Sequence, residues 1–181
     1  MAEIPATAVK ELREISGAGM MDCKKALSEA SGNLNKAMDI LRKSGVSKAQ
    51  KKSGRSTKEG MIYSYIHPGE KLGVLIEINC ETDFVAKTDD FINLNKDIAM
   101  HIAASAPISI KREEISLDVL EREKDIYAEQ ARQSGKPDNI IDKMIEGRIN
   151  KFYQENVLLE QAFVKDPDKT VQNIITDTIA K

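Results

Sequence analysis

Apolar residues recur at helical spacing three times in the first 45 residues, which predicts three short helices. The first covers residues 5–15, the second covers about 21–30, and the third begins after Asn33. Gly45 is expected to end the third helix, because glycine readily adopts the backbone conformation found just past helix ends. Three helices of this length form a small bundle with a minimal core.

The hydrophobic pattern changes to β-type runs at residues 61–66 and 72–78. A turn at His67–Lys71 separates the two runs, so we expect an antiparallel hairpin. Because apolar residues fill the second run almost without a break, that strand is expected to be covered on much of both faces.

Helical spacing returns over most of the remaining chain. The predicted helices cover residues 89–104, about 117–134, about 138–151 and 171–180. A strand or extended segment is expected over 157–164, followed by a turn at 166–168. The sequence therefore favours an α+β fold, with a three-helix bundle, a linker, and a core in which a small antiparallel sheet packs with helices.

Residues 80–91 join the end of the second predicted strand to the start of the next helix. Asp83 and Phe84 should lie at the outermost point of this connection, held still by the regular elements on either side. Such a pair is suited to insertion into another protein, because the ring fills a pocket and the charge meets a donor or competes with a metal. The spacing alone also allows Phe84 to fold back into its own core, as most phenylalanines do.

A methionine pair, Met20 and Met21, follows a run of small residues at 16–19. At least one of the two cannot point into so small a core, and an exposed methionine pair makes a flexible, polarizable contact surface. The alternative is that both side chains fill the core or its edge.

The net charge of −2 hides an uneven distribution. Residues 1–58 carry 12 Lys and Arg against 6 Asp and Glu, whereas residues 59–181 carry 15 against 23. The predicted organisation is a helical domain at 1–45, a basic linker at 46–58 and a core domain at 59–181. The basic residues of 42–58 could instead bind RNA or phosphate, although no aromatic residue is interleaved among them for base stacking.

Two cysteines, Cys23 and Cys80, lie too far apart in the sequence to suggest a disulfide framework, which favours a reducing compartment. The N-terminus lacks the features of a secretory signal, and no apolar stretch approaches the roughly 20 residues that span a bilayer. These observations predict a soluble, cytoplasmic protein.

Sequence motifs of common enzymes are absent, including the P-loop, GxGxxG, HExxH and GxSxG. Cys80 and His67 lie at opposite ends of the predicted second strand, so a Cys–His nucleophile is not expected. We expect His67 to be a polar turn residue and His101 a partly buried structural residue, with no metal ligand set around either. The sequence gives little reason to expect an enzyme or a cofactor.

Several long segments resemble the elongation factor Ts family and occur in the same order over nearly the whole chain. Gly17–Leu27 resembles the N-terminal signature of that family, and Asn79–Ala86 resembles its second signature. Later segments, Ser134–Pro137, Lys143–Arg148 and Leu158–Val164, are similar to the remainder. Motifs of this length are far more specific than an isolated glycine pattern.

The resemblance implies a guanine-nucleotide exchange factor that binds elongation factor Tu and promotes GDP release. In the family, residues matching Asp83 and Phe84 push into the nucleotide domain of that GTPase and disturb its Mg²⁺ and phosphate site. Other matched residues contact the same partner, some of them in an N-terminal ubiquitin-associated-like three-helix domain. The residues so implied are Thr82, Asp83, Phe84, Val85, Met20, Met21, Lys24 and His67.

Two departures from the family pattern concern the core. Only one hairpin and one aromatic–acid connection are present, so the core resembles a short form that could associate as a homodimer. The family usually continues past Lys181 with a final strand, which this chain does not include, and Ala162 stands where proline is common. A nucleic-acid-binding module using 42–58, and a ubiquitin-like recognition module using only 1–45, are the competing hypotheses. Direct nucleic-acid binding is not expected if the resemblance holds.

Overall fold

The computed structural model describes residues 4–52, 54–133 and 137–180. Within these residues the chain forms α-helices, short 3₁₀ helices and two small two-stranded sheets, which confirms the α+β class. The elements are α1 (Ala6–Ser16), α2 (Met20–Glu29), α3 (Leu34–Lys52), β1 (Glu59–Ile66), β2 (Gly73–Cys80), α4 (Asp83–Ala86), α5 (Asp89–Ser105), a 3₁₀ helix (Arg112–Glu114), α6 (Leu117–Arg132), α7 (Asp138–Asn156), a 3₁₀ helix (Leu158–Glu160), β3 (Ala162–Phe163), β4 (Asp166–Thr170) and α8 (Val171–Ala180).

The chain divides into two compact units, which are not continuous in sequence. The first unit comprises the described residues of 1–60, 79–91 and 175–181. The second unit comprises the described residues of 61–78 and 92–174. The predicted domains at 1–45 and 59–181 follow chain order, and their behaviour as separate folding domains stays a prediction.

Three N-terminal helices form the predicted bundle. Helix α1 ends where Gly17 adopts a φ of 66°, a conformation that suits glycine, and its N–H donates to the carbonyl of Arg13 at 2.9 Å. Small apolar side chains fill the core, as expected for short helices packed closely together. The buried residues are Val9, Leu12, Cys23, Ala26, Leu27, Ala30 and Ala37.

The third helix does not end at Gly45, so that prediction is wrong. Helix α3 continues to Lys52, and residues 46–52 of the predicted linker are helical. A Cβ placed on Gly45 would lie 3.0 Å from the Cβ of Ala180. The Lys52 ammonium donates to the carbonyl of Ile179 at 2.8 Å. The glycine therefore marks a close approach of two helices inside the first unit and not a helix end.

The hairpin of β1 and β2 forms as predicted, but its second strand is not covered on both faces. His67 N–H donates to the carbonyl of Leu72 at 2.9 Å and closes the turn. Burial alternates along β2, and the side chain of Leu75 is 72% exposed. The prediction failed because one face of the hairpin stays open to solvent, where Ile62 and Ile66 of β1 are also 67% and 62% exposed.

The later part of the chain also departs from the predictions. Residues 157–164 form a 3₁₀ helix followed by the two-residue strand β3, and not one extended segment. The predicted turn at 166–168 lies in β4, which pairs antiparallel with β3. Helices α6 and α7 pack together in this unit, and Ser109 forms one isolated parallel bridge with Val157.

A fully buried histidine, His101, links α5 to this segment. The backbone N–H of Val164 donates to Nδ1 at 3.3 Å, so Nε2 carries the proton and donates to Oε1 of Gln161 at 2.9 Å. The Gln161 amide in turn donates to the carbonyl of Glu155 at 2.8 Å. Burial lowers the pKa of His101, although the hydrogen bond with Gln161 opposes that shift. His101 is therefore a neutral structural residue, more deeply buried than predicted.

We expect stability to fall as the pH is lowered through the histidine range. The folded state disfavours protonation of His101, whereas in the unfolded chain the histidine has its ordinary pKa of about 6.5. Below that pH the unfolded state therefore binds the proton more readily than the folded state does. Stability is complete above that pH and declines below it, with a limiting slope of about 1.4 kcal/mol per pH unit for one group. Urea unfolding between pH 7.5 and 5 measures the slope. The slope should persist in His67→Gln, whose histidine is exposed, and vanish in His101→Gln; an unchanged slope in His101→Gln contradicts the assignment.

Two helical glycines offer a matched test of the contact at Gly45. A Cβ on Gly147 in α7 meets nothing within 4 Å, whereas one on Gly45 presses on Ala180. Gly147→Ala should raise the free energy of unfolding by about 0.5–1 kcal/mol through helix propensity alone. Gly45→Ala should raise the free energy of unfolding by less, because its Cβ presses on Ala180. The larger side chain of Gly45→Leu should displace the last turn of α8 and increase hydrogen exchange there. Equal gains in both alanine variants would show that the close approach is absent.

Candidate functional site

The tip, residues 81–88, follows directly after β2. The thiol of Cys80 donates to the carbonyl of Thr82 at 3.1 Å and fixes the end of the strand. Thr82 has extended backbone angles, and its hydroxyl accepts the N–H of Val85 at 3.3 Å, so it is the N-cap of α4. The single turn of α4 then presents Phe84 to solvent, with its side chain 78% exposed. The alternative in which this ring folds into its own core is wrong.

Interactions at both ends stabilise α4, because one turn of helix is too short to be stable alone. Lys87 and Asp83 form an ion pair of 2.8 Å across the turn. Thr88 donates its hydroxyl to the carbonyl of Val85 at 2.8 Å and accepts the N–H of Phe91 at 3.3 Å. Thr88 therefore closes α4 and caps the start of α5. The tip is a short, anchored turn.

Electrostatics reinforce this arrangement. The hydrogen bond from Lys87 lowers the pKa of Asp83, and the same bond raises the pKa of Lys87. Both groups are therefore charged at neutral pH. The ammonium also lies 6.0 Å from the centroid of the Phe84 ring, at the limit of a cation–π contact. One lysine thus stands beside both of the principal candidate residues.

A second exposed group lies at the start of α2. Met20 and Met21 are 58% and 76% exposed, so the alternative in which both fill the core is wrong. Lys24 is exposed one turn later in the same helix. Asp22 lies between the methionines and Lys24 in the sequence, and its Oδ2 is 2.6 Å from Nζ of Lys48 in α3. This contact anchors the first turn of α2 to α3 and leaves the two methionines outside.

The candidate residues are divided between the two compact units. The methionine pair, Lys24 and the tip belong to the first compact unit. His67 belongs to the second unit, where it is exposed in the hairpin turn as predicted. The hydroxyl of Tyr65 lies 3.1 Å from its Nδ1. The structure thus assembles seven of the eight residues implied by the resemblance in one unit.

Three cations of the basic stretch 42–58 are engaged inside the first unit. Lys48 pairs with Asp22, and Lys52 donates to a backbone carbonyl of α8. The guanidinium of Arg55 contacts the carboxylate of Glu81, its Nη1 lying 3.2 and 3.1 Å from the two oxygens. Residues predicted as a mobile connector therefore make specific contacts.

The sequence reasoning did not identify Lys87 or Arg55. Lys87 could have been found, because a lysine four residues after an aspartate is a recognised helical ion pair. Nothing in the sequence indicated Arg55, whose partner Glu81 is distant along the chain. Long-range pairs of exposed charges leave no local pattern.

In the part of the chain that the structure describes, no three His, Cys, Asp or Glu side chains cluster closely enough to hold a metal ion. Among the helices of the described ranges, none combines the length and the apolar character needed to cross a membrane. Cys23 and Cys80 are both buried as free thiols.

Sequence comparison matches this chain to one family of known proteins. The profile of a family described as Elongation factor TS matches residues 2–181. Elongation factor Ts of Geotalea daltonii is 60% identical over 98% of this chain and 82% of its own length. The protein of the same name from Desulforamulus reducens is 60% identical over 100% of this chain and 83% of its own length. The one from Fervidobacterium nodosum is 59% identical over 99% of this chain and 91% of its own length.

We expect Lys87→Met to raise the pKa of Asp83 toward its ordinary value, because the hydrogen bond from Lys87 is the main cause of the lowered pKa. An NMR titration of the Asp83 carboxyl carbon measures this directly. Lys151→Met is the matched control, since Lys151 forms a similar exposed pair with Glu155 in α7. An Asp83 titration unchanged by Lys87→Met would mean that the ion pair does not persist in solution.

Proposed function

The chain belongs to the elongation factor Ts family and is a translation elongation factor; from this premise we propose that it is the guanine-nucleotide exchange factor of elongation factor Tu. In this proposal it binds the GDP form of that GTPase and accelerates GDP release. Its exposed tip enters the nucleotide domain and disturbs the Mg²⁺ and phosphate end of the site. In this proposal the chain acts in the cytoplasm, where translation takes place.

The exposed ring of Phe84 is the observation that carries the proposal. A phenylalanine that is 78% exposed leaves a large apolar surface in water. Burying such a side chain contributes about 1.5–3 kcal/mol, which is typical of a residue that dominates an interface. The anchored turn of α4 fixes the backbone that carries the ring, so little backbone freedom is lost when the ring enters a pocket.

The proposed activity follows from coupled binding and requires no bond to be made or broken. If the factor weakens GDP binding by a given ratio, GDP weakens binding of the factor by the same ratio. The Asp83 carboxylate acts by contacting mobile elements of the GTPase near its Mg²⁺, and direct ligation of the metal by it is not part of the proposal. The factor itself therefore needs neither a cofactor nor a metal.

The second group of candidate residues supplies a further contact in this proposal. Met20 and Met21 offer soft apolar surface, and Lys24 offers a cation, next to one another on α2. His67 contacts the same GTPase from the hairpin turn. Two contacts made by one compact unit reinforce each other, since the second forms at a high effective concentration once the first is made.

The competing functions have less support. Lys48, Lys52 and Arg55 would have to leave their protein partners before binding RNA, which disfavours the nucleic-acid hypothesis. A recognition module limited to residues 1–45 leaves the exposed tip without a role. A homodimer of the core stays a prediction, and sedimentation equilibrium of the purified chain tests it.

We expect Phe84→Ala to slow the factor-stimulated release of GDP from elongation factor Tu by at least about tenfold, because the main apolar contact is lost. Release of a fluorescent GDP analogue, followed by stopped flow over a range of factor concentrations, measures the effect. Leu117→Ala is the matched control, since Leu117 is 74% exposed at the start of α6 and belongs to the other unit.

The thermal unfolding of Phe84→Ala should match that of the parent chain, since an exposed ring adds little to stability. A normal rate of GDP release with this variant would exclude the tip as the acting element. A chain that stimulates no GDP release at all, at any concentration, would contradict the proposed function as a whole.

A further inference from the structure

One contact joins the tip to the end of α3. The Arg55 guanidinium faces both carboxylate oxygens of Glu81, at 3.2 and 3.1 Å. Arg55 lies just after α3, where its N–H donates to the carbonyl of Lys52 at 3.0 Å. Glu81 immediately precedes Thr82, the N-cap of α4. The ion pair therefore reaches the base of the tip from a part of the chain that is distant in sequence.

The same stretch of chain also holds the methionine pair in place. Lys48, in the last two turns of α3, contacts Asp22 at 2.6 Å, and Asp22 directly follows Met20 and Met21. Two cations, Lys48 and Arg55, thus connect the end of α3 to both groups of candidate residues in the first unit. The two groups are held through one common support.

We propose that Arg55 is a positioning residue, which fixes the separation between the methionine pair and the tip so that both contact the GTPase together. This inference rests on the proposed function. Arg55 acts through Glu81 and does not itself touch the partner. A rigid spacing spares the cost of ordering the tip when the complex forms, and raises the effective concentration of the second contact.

The exposure of the pair determines what its loss should change. An exposed ion pair contributes little to folding, so removing it should leave the chain folded. The tip retains its own caps, Thr82 and Thr88, and can still enter the nucleotide domain once bound. The concentration of factor that gives half-maximal GDP release should therefore rise, while the maximal rate should not change.

Charge exchange provides the test. Arg55→Glu and Glu81→Arg, each alone, should raise the half-maximal concentration about 3- to 5-fold at low salt, within the range expected for losing one exposed ion pair. The double variant, with the charges exchanged, should return it to within about twofold of the parent chain, as a restored pair requires. Lys165→Glu is the control, since it breaks a comparable pair with Asp97 in the second unit.

A second measurement follows the spacing without the partner. Spin labels at Ser28→Cys and Val85→Cys, both exposed positions of the first unit, report the distribution of distances between α2 and the tip. The distribution should broaden in Arg55→Glu and narrow again in the charge-exchanged chain. The native thiols are buried, which keeps labelling specific.

The outcomes separate this inference from the proposed function. If both single variants stimulate GDP release at the same half-maximal concentration as the parent chain, while Phe84→Ala slows release, the tip acts without this support. The inference is then wrong. If the singles are weakened and the exchanged pair does not rescue them, Arg55 contacts the partner directly, which also overturns it. If GDP release with Phe84→Ala is normal, the tip is not the acting element and the inference is wrong. If the parent chain stimulates no GDP release, the proposed function fails and the inference falls with it.

Discussion

A helix of one turn cannot be maintained by its own hydrogen bonds, and this constraint governs the part of the molecule that carries the proposed function. Helix α4 consists of Asp83–Ala86, so every stabilising contact must come from its edges. Two threonines supply them, Thr82 as a cap before the turn and Thr88 as a link from its last carbonyl to α5. An ion pair spans the turn between these caps. The result is an anchored backbone that presents an aromatic side chain to water.

The same logic extends from the turn to the whole first unit. Its helices are short and its core side chains are small, so burial alone gives the bundle little stability. The end of α3 adds contacts of another kind, through Lys48, Lys52 and Arg55. Each exposed contact is weak, and together they connect the end of α3 to α2, to α8 and to the tip. Basic residues that resemble a connector in sequence thus make specific long-range contacts.

Periodicity predicted the helices and the hairpin because these depend on residues close together in the chain. It failed where the outcome depended on distant partners. Gly45 resembles a helix end unless the neighbouring Ala180 is known. The apolar run around Leu75 resembles a covered strand, because the sequence does not show which face of the hairpin stays exposed. Exposure of Phe84 could not be derived from spacing either, because spacing does not show which apolar residues remain without a neighbour. The position of Phe84 between a strand and a helix made it a candidate, and the resemblance pointed to the same residue.

The exposed methionines have one more consequence, which concerns redox chemistry. Thioethers on the surface are readily converted to sulfoxides, which are polar, whereas the two buried thiols are shielded from oxidants. Among the methionines that the structure describes, Met20 and Met21 are the exposed ones, and their oxidation would replace a soft apolar patch by a hydrated one. The fold would persist, since neither side chain supports the core. An oxidised cell would thus retain a folded chain with an altered α2 surface, and methionine sulfoxide reductases would restore it.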